Sequence, residues 1–177
     1  HNMFSIQYTE KSDEYPLGRI LGRVHEDAGW LYPNKEFIIE FQPILNIQTE
    51  EIVGFEALSR WEHPTLGLIT PGEYIEILEQ LNQIHLLDKF VLNESIKMVN
   101  QITKKYNKNF VINVNVSGQT ILREDFEDTV KDTLKKYNYD PRFLEIELTE
   151  SIFINDYSKI KDIMTRLINL GVRFSED

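Results

Sequence analysis

The chain has 177 residues, and 29 acidic against 19 basic side chains give it a formal net charge of −10. A protein this acidic repels polyanions, so we expect no duplex nucleic acid among its partners. The hydrophobic content of 41% excludes a wholly disordered chain, and the lack of cysteine excludes disulfides and thiol catalysis. No apolar run is long enough to span a membrane. A reducing, cytoplasmic compartment is therefore expected.

The first part of the chain differs from the rest. Residues 1–36 carry glycine, proline and scattered charges without a sustained hydrophobic period. We interpret this stretch as an N-terminal arm or the remnant of an upstream domain, with an ordered cap on the main domain as the alternative. The regular domain is expected to span residues 37–177.

From Phe37 onward the pattern becomes regular. Strands are predicted over 37–44 and 52–61, and the connection between them is too short for a crossover helix, so they should run antiparallel. Thr70, Pro71 and Glu73 then combine a hydroxyl cap, a proline in the first turn and a glutamate that closes a capping box. These three residues predict the start of a helix.

Helices and strands are expected to alternate through the remainder of the chain. The order is helix near 87–102, strand 110–116, helix 126–137, strand 143–149, helix 160–167 ended by Gly171, and strand 172–175. Such alternation is typical of a parallel sheet with helical crossovers, either an open α/β sheet or a (β/α) barrel. In both architectures, functional groups are expected at the C-terminal ends of the strands.

Alternation within the strands separates a polar face from an apolar one. The polar face would carry Glu56, Leu58, Arg60, Asn113, Asn115, Glu145 and Glu147. Carboxylates in an interior are costly unless they are paired or metal-bound. Glu56, Asn115 and Glu147 are hard oxygen donors, suited to Mg²⁺ or Mn²⁺ rather than zinc. The alternative is a set of separate interior polar residues, each paired with lysine or arginine.

Several segments carry motifs in a recognisable order. They are Phe-Gln-Pro-Ile at 41–44, Glu-Ala-Leu-Ser-Arg-Trp at 56–61, His-Pro with Ile-Thr-Pro within 63–71, Asn-Val-Asn-Val-Ser at 113–117, Glu-Ile-Glu-Leu-Thr-Glu-Ser at 145–151, and Gly-Val-Arg-Phe at 171–174. Together they resemble the EAL family, the bacterial phosphodiesterases that hydrolyse cyclic di-GMP. The resemblance covers about residues 37–177.

The resemblance implies a fold, a reaction and roles for particular residues. The fold would be a modified (β/α)₈ barrel with an antiparallel first strand, and the reaction a Mg²⁺- or Mn²⁺-dependent hydrolysis of cyclic di-GMP to the linear dinucleotide. By likeness to the family's motifs, the metal ligands would be Glu56, Asn115, Glu147 and Asp177, and Glu56 would also be the catalytic residue. The substrate contacts would be Gln42, Leu58 and Arg60. Glu150 would orient an active-site loop.

Two departures from the family pattern bear on activity. Glu176 stands where the family usually has an aliphatic residue, and the sequence reaches only the first aspartate of the DDFG motif, at Asp177. The family's second aspartate, its lysine and its later glutamates have no match, so no general base is carried over. The barrel therefore looks truncated after about five strands. A fragment of a longer protein, a naturally shortened inactive relative, and a barrel completed by a second copy all remain open.

Two functions follow from these observations. One is a cyclic di-GMP phosphodiesterase that carries part of the active site, with the 177-residue chain expected to be inactive by itself. The other is a non-catalytic EAL module that senses cyclic di-GMP or binds a protein. A homodimer and an upstream sensory or GGDEF-type domain are the expected partners.

Overall fold

The computed structural model describes residues 36–149 and 156–176. The strands are β1 (Phe37–Leu45), β2 (Ile52–His63), β3 (Gly67–Ile69), β4 (Val111–Val116), β5 (Leu144–Leu148) and β6 (Arg173–Glu176). The helices are α1 (Pro71–Gln80), α2 (Ile84–Tyr106), α3 (Gly118–Ile121), α4 (Phe126–Lys136) and α5 (Tyr157–Leu170), with a 3₁₀ turn at Pro141–Phe143. In the described ranges no helix has both the length and the apolar character needed to cross a membrane.

The strands form one sheet in the order β1-β2-β4-β5-β6, with β3 paired to β2 outside this path. β1 and β2 are antiparallel, whereas β2, β4, β5 and β6 are mutually parallel. The predicted parallel sheet with helical crossovers and an antiparallel first strand is therefore confirmed.

Alternation along the central strands divides the sheet into two faces. In β4, Ile112, Val114 and Val116 are at most 1% exposed, whereas the intervening Asn113 and Asn115 are only partly buried. β5 repeats the pattern, with its leucines and isoleucine buried and its two glutamates between them. The buried faces of α2, α4 and α5 belong to the same hydrophobic core. The polar side chains are therefore left on the face away from the helices, as predicted.

The β2–β4 contact depends on a glycine. A Cβ built on Gly54 would lie 2.5 Å from the carbonyl oxygen of Val111, its register partner. Real Cβ atoms essentially never approach an oxygen so closely, so a side chain here would push the two strands apart. This close approach holds β2 and β4 in the register that sets Glu56 beside Asn113.

Both predicted helix signals are confirmed. At the start of α1 the Glu73 carboxylate accepts from the Thr70 backbone N–H at 3.0 Å and from the Thr70 hydroxyl at 2.9 Å. Gly171 follows α5 with a φ of 111°, a left-handed conformation that side-chain-bearing residues rarely adopt.

Three short elements were not expected from the sequence: β3, α3 and the 3₁₀ turn. Each spans only three or four residues, which is too short for a hydrophobic period to be detected. Their signals are local instead. Gly67, the first residue of β3, has a φ of 75°. The side chains of Ser117 and Asp140 cap α3 and the 3₁₀ turn.

An aromatic cluster packs where the start of β1 lies beside the end of β2. The indole N–H of Trp61 donates to the Glu36 carboxylate at 2.9 Å, and the Trp61 ring stacks on Phe37 with centroids 5.2 Å apart. Tyr74 of α1 meets Phe37 edge-on. Apart from Glu36, the expected N-terminal arm over residues 1–36 lies outside the described residues.

Candidate active site

Strand register brings most of the predicted site residues onto one face of the sheet. Gln42 is paired with Glu56 across β1 and β2, and Glu56 is paired with Asn113 across β2 and β4. Asn115, two residues further along β4, is paired with Glu147 of β5. Because paired residues project to the same side, Gln42, Glu56, Asn115 and Glu147 share the polar face.

Leu58 and Arg60 continue this face toward the end of β2. They line a cavity of about 180 Å³ together with Asn115. The pairing of β2 with β4 ends at Ala57 and Val114. The cavity lies beyond this last pair, at the carboxyl end of β4. Two predicted substrate contacts, Leu58 and Arg60, thus share a cavity with one predicted metal ligand, Asn115. The other described candidates, Gln42, Glu56 and Glu147, do not line it.

Two predicted site residues cannot be placed. Asp177 and Glu150 lie outside the described residues. Within 36–149 and 156–176, no three His, Asp or Glu side chains form a group that could hold a metal ion. The described candidates supply two carboxylates and one amide, so a complete ligand set would need donors beyond them.

The polar face is acidic. By register it carries Glu40, Glu56, Glu145 and Glu147 against Arg60 and Arg173. In addition, Asn113, between Glu56 and Glu145, has a buried side-chain oxygen without a hydrogen-bond partner. Excess carboxylate and an unsatisfied amide oxygen on one face are the donor chemistry that hard divalent cations prefer. The chemistry of these donors therefore fits a hard divalent cation, although the described residues do not assemble three such side chains into one group.

Arg60 is held by two contacts. Its Nε lies 3.0 Å from Oε2 of Glu40 on the neighbouring strand, and one of its Nη1 protons is donated to the Ser59 carbonyl at 2.9 Å. The Tyr74 hydroxyl donates to the same carbonyl at 2.9 Å. Burial is the main cause that raises the pKa of Tyr74 to about 12, so its hydroxyl stays protonated near neutral pH.

Sequence reasoning missed a buried carboxylate behind the site. Asp88 of α2 lines the same cavity, and its Oδ2 accepts from the Ser117 backbone N–H at 3.0 Å and from the Thr120 hydroxyl. Ser117 follows Asn115 by two residues, so Asp88 fixes the turn that ends β4. A detectable signal existed, because Asp88 is a charged residue next to Leu87 in the apolar stripe of a helix.

Burial raises the pKa of Asp88 to about 6, against the hydrogen bonds from Thr120 and Ser117, which lower it. The folded state therefore favours the protonated acid. The stability that this group contributes is fully present below pH 3.8, its unfolded value, and is lost as pH rises through about 6. Asp88→Asn keeps an acceptor oxygen but cannot ionise, so its unfolding free energy relative to that of wild type should rise by about 2 kcal/mol between pH 4 and pH 7.5.

Urea unfolding of the full-length protein at several pH values measures this difference. Asp132→Asn, at an exposed position on α4, is the matched control and should follow the wild-type profile. Parallel pH profiles for wild type and Asp88→Asn would contradict the assignment.

Comparison with known proteins identifies the family. The EAL domain family matches the sequence over residues 30–177. The chain belongs to the EAL family. It is 31% identical over 144 residues to the signaling protein YkoW of Bacillus subtilis, a match that covers 81% of this chain and 18% of YkoW. It is 29% identical over 143 residues to MucR of Pseudomonas aeruginosa, a bifunctional diguanylate cyclase/cyclic di-GMP phosphodiesterase, covering 81% of this chain and 21% of MucR.

Solved structures agree with the EAL assignment. The PaMucR phosphodiesterase in complex with c-di-GMP superposes with a TM-score of 0.80 at 27% identity, covering 90% of this chain and 63% of that chain. The chain spans about a fifth of the length of the curated relatives it matches. The expected EAL-type barrel, represented here by its first strands and helices, is confirmed.

Proposed function

We propose that this EAL chain contributes the first half of a metal-dependent cyclic di-GMP phosphodiesterase site. The observation that carries the proposal is the alignment of Glu56, Asn115 and Glu147 on one face of three adjacent parallel strands. Relatives whose names state cyclic di-GMP hydrolysis or binding support the choice of ligand.

Within this proposal, Glu56, Asn115 and Glu147 would hold Mg²⁺ or Mn²⁺, with Asp177 as a further ligand. Such an ion supplies Lewis-acid polarisation of the phosphodiester and a more acidic bound water. The protein's own part is to hold these donors in place on rigid strands. The bound ion would offset their negative charge. Asn113 would add a further oxygen donor on the same face, since its buried side-chain oxygen has no hydrogen-bond partner.

Arg60, Leu58 and Gln42 would bind the dinucleotide. The guanidinium of Arg60 is a planar donor whose fork matches phosphate oxygens. Leu58 presents an apolar contact in the same cavity, and Gln42 offers an amide beside Glu56. Glu150, which follows β5 by sequence, would orient an active-site loop.

The rest of the proposal concerns the setting of this chain. A cytoplasmic location fits the absence of cysteine. An upstream sensory or GGDEF-type domain fits the fact that the chain matches only a fifth of MucR, a protein that also carries cyclase activity by name. A homodimer is also proposed as the assembled form.

The decisive experiment measures linear dinucleotide formed from cyclic di-GMP by the full-length protein, with and without Mn²⁺. Metal-dependent product supports a phosphodiesterase. Binding of cyclic di-GMP without product would instead support the alternative, a non-catalytic sensor. If the protein neither binds cyclic di-GMP nor forms product, both the phosphodiesterase and the cyclic di-GMP sensor are overturned, and only the protein-binding module is left.

A further inference from the structure

We propose that Glu40 sets the affinity of the EAL site for its phosphodiester ligand, by competing with a ligand phosphate for the guanidinium of Arg60. This inference rests on the proposed function. It concerns a residue outside the predicted ligand and substrate sets, and it gives that residue a restraining role.

Glu40 and Arg60 meet across the first two strands. Glu40 is paired with Leu58 and therefore lies on the same face as Gln42 and Arg60. The Arg60 Nε and the Glu40 Oε2 are 3.0 Å apart. The Arg60 side chain is 24% exposed and that of Glu40 is 55% exposed. Both side chains are thus accessible in the described structure, and the carboxylate lies directly beside the guanidinium.

Arg60 has a second contact besides Glu40. Its Nη1 donates to the Ser59 carbonyl at 2.9 Å, and the same carbonyl is fixed by the hydroxyl of the fully buried Tyr74. Tyr74 also exchanges a hydrogen bond with the Ser59 hydroxyl at 2.7 Å. Because this second contact does not involve Glu40, we expect the main effect of the Glu40 carboxylate to be its charge.

That charge acts against an anionic ligand in two ways. It neutralises part of the Arg60 charge, and it places a carboxylate within a few ångströms of any phosphate bound to the same guanidinium. Because Glu40 is more than half exposed, solvent and salt screen the repulsion. The effect should therefore be several-fold rather than several powers of ten, and it should fade at high ionic strength.

The test is Glu40→Gln in the full-length protein, with cyclic di-GMP as the ligand and Mn²⁺ present. Glutamine has nearly the same shape and keeps an acceptor oxygen, but it removes the negative charge. We expect KM, or the Kd from calorimetry where turnover is absent, to fall by about three- to tenfold at low salt. The gain should appear in KM rather than in kcat and should shrink toward wild type near 0.5 M salt.

Glu51→Gln is the matched control. Glu51 is also an exposed glutamate in a surface ion pair, 3.4 Å from the Nζ of Lys108, but it lies at the turn of the β1–β2 hairpin, away from the strand ends that carry Arg60. This variant makes the same charge change and should leave KM at its wild-type value.

Each outcome separates this inference from the proposed function. Tighter binding by Glu40→Gln alone supports the inference. Equal affinity, or weaker binding, in a protein that binds cyclic di-GMP overturns the role of Glu40 and leaves the phosphodiesterase proposal standing. If wild type and variant both fail to bind the ligand, the inference and the proposed function fail together.

Discussion

Replacing Glu56 with glutamine in the full-length protein is expected to weaken Mn²⁺ binding by at least about 100-fold and to abolish metal-dependent hydrolysis. Glutamine has nearly the shape of glutamate but lacks its charge, so the change tests the ligand and not the packing. Loss of groups that merely orient a metal ligand costs about 10- to 100-fold, so loss of a direct carboxylate ligand should cost more.

Calorimetric titration with Mn²⁺ measures the affinity, and chromatography of the linear dinucleotide measures turnover. The matched control is Glu76→Gln, an exposed position on α1, which should bind Mn²⁺ and turn over as wild type does. Unchanged Mn²⁺ affinity in Glu56→Gln would show that Glu56 is not a metal ligand.

The sequence was a good guide to the sheet and its polar face. Period-two alternation in β4 and β5 separates Asn115 and Glu147 from the core, and this alternation is a property of neighbouring residues. The short link after β1 likewise forced the antiparallel pairing that the register confirms. These features are local, so they can be predicted without knowing the fold.

The features that were missed depend on contacts between distant segments. Asp88 meets Ser117 across 29 positions of sequence, and Glu40 meets Arg60 only because β1 and β2 pair in one register. A charged residue in an apolar helix stripe is a hint, but it does not say which donors will surround it. The roles of Glu56, Asn115 and Glu147 stay predictions, because they depend on a bound ion and not on contacts within the chain.

The polypeptide of residues 1–177, prepared by itself, is expected not to hydrolyse cyclic di-GMP even with excess Mn²⁺. By resemblance to the family, the second aspartate, the lysine and the later glutamates of the site have no counterpart among these residues. Without them nothing is positioned to activate and orient the attacking water, and loss of such groups commonly costs several powers of ten in rate.

Incomplete closure adds to this loss. In the described sheet, β1 and β6 are the two edges, and an eight-stranded barrel requires further strands between them. Without those strands, the polar face that carries Glu56, Asn115 and Glu147 stays open on one side. A metal binds less tightly where its ligands are not held in place. A second copy of the same polypeptide could cover that side, but it would repeat the first-half motifs and supply no lysine from the second half.

Chromatographic detection of linear dinucleotide from the purified 177-residue polypeptide measures this prediction, with mass spectrometry to exclude any longer species. If the short polypeptide forms product with Mn²⁺, and Glu56→Gln removes that product, then the first-half residues suffice for catalysis. Activation of water would then have to be assigned to a group already on this face, such as Glu145 or Glu147, which are paired with Asn113 and Asn115.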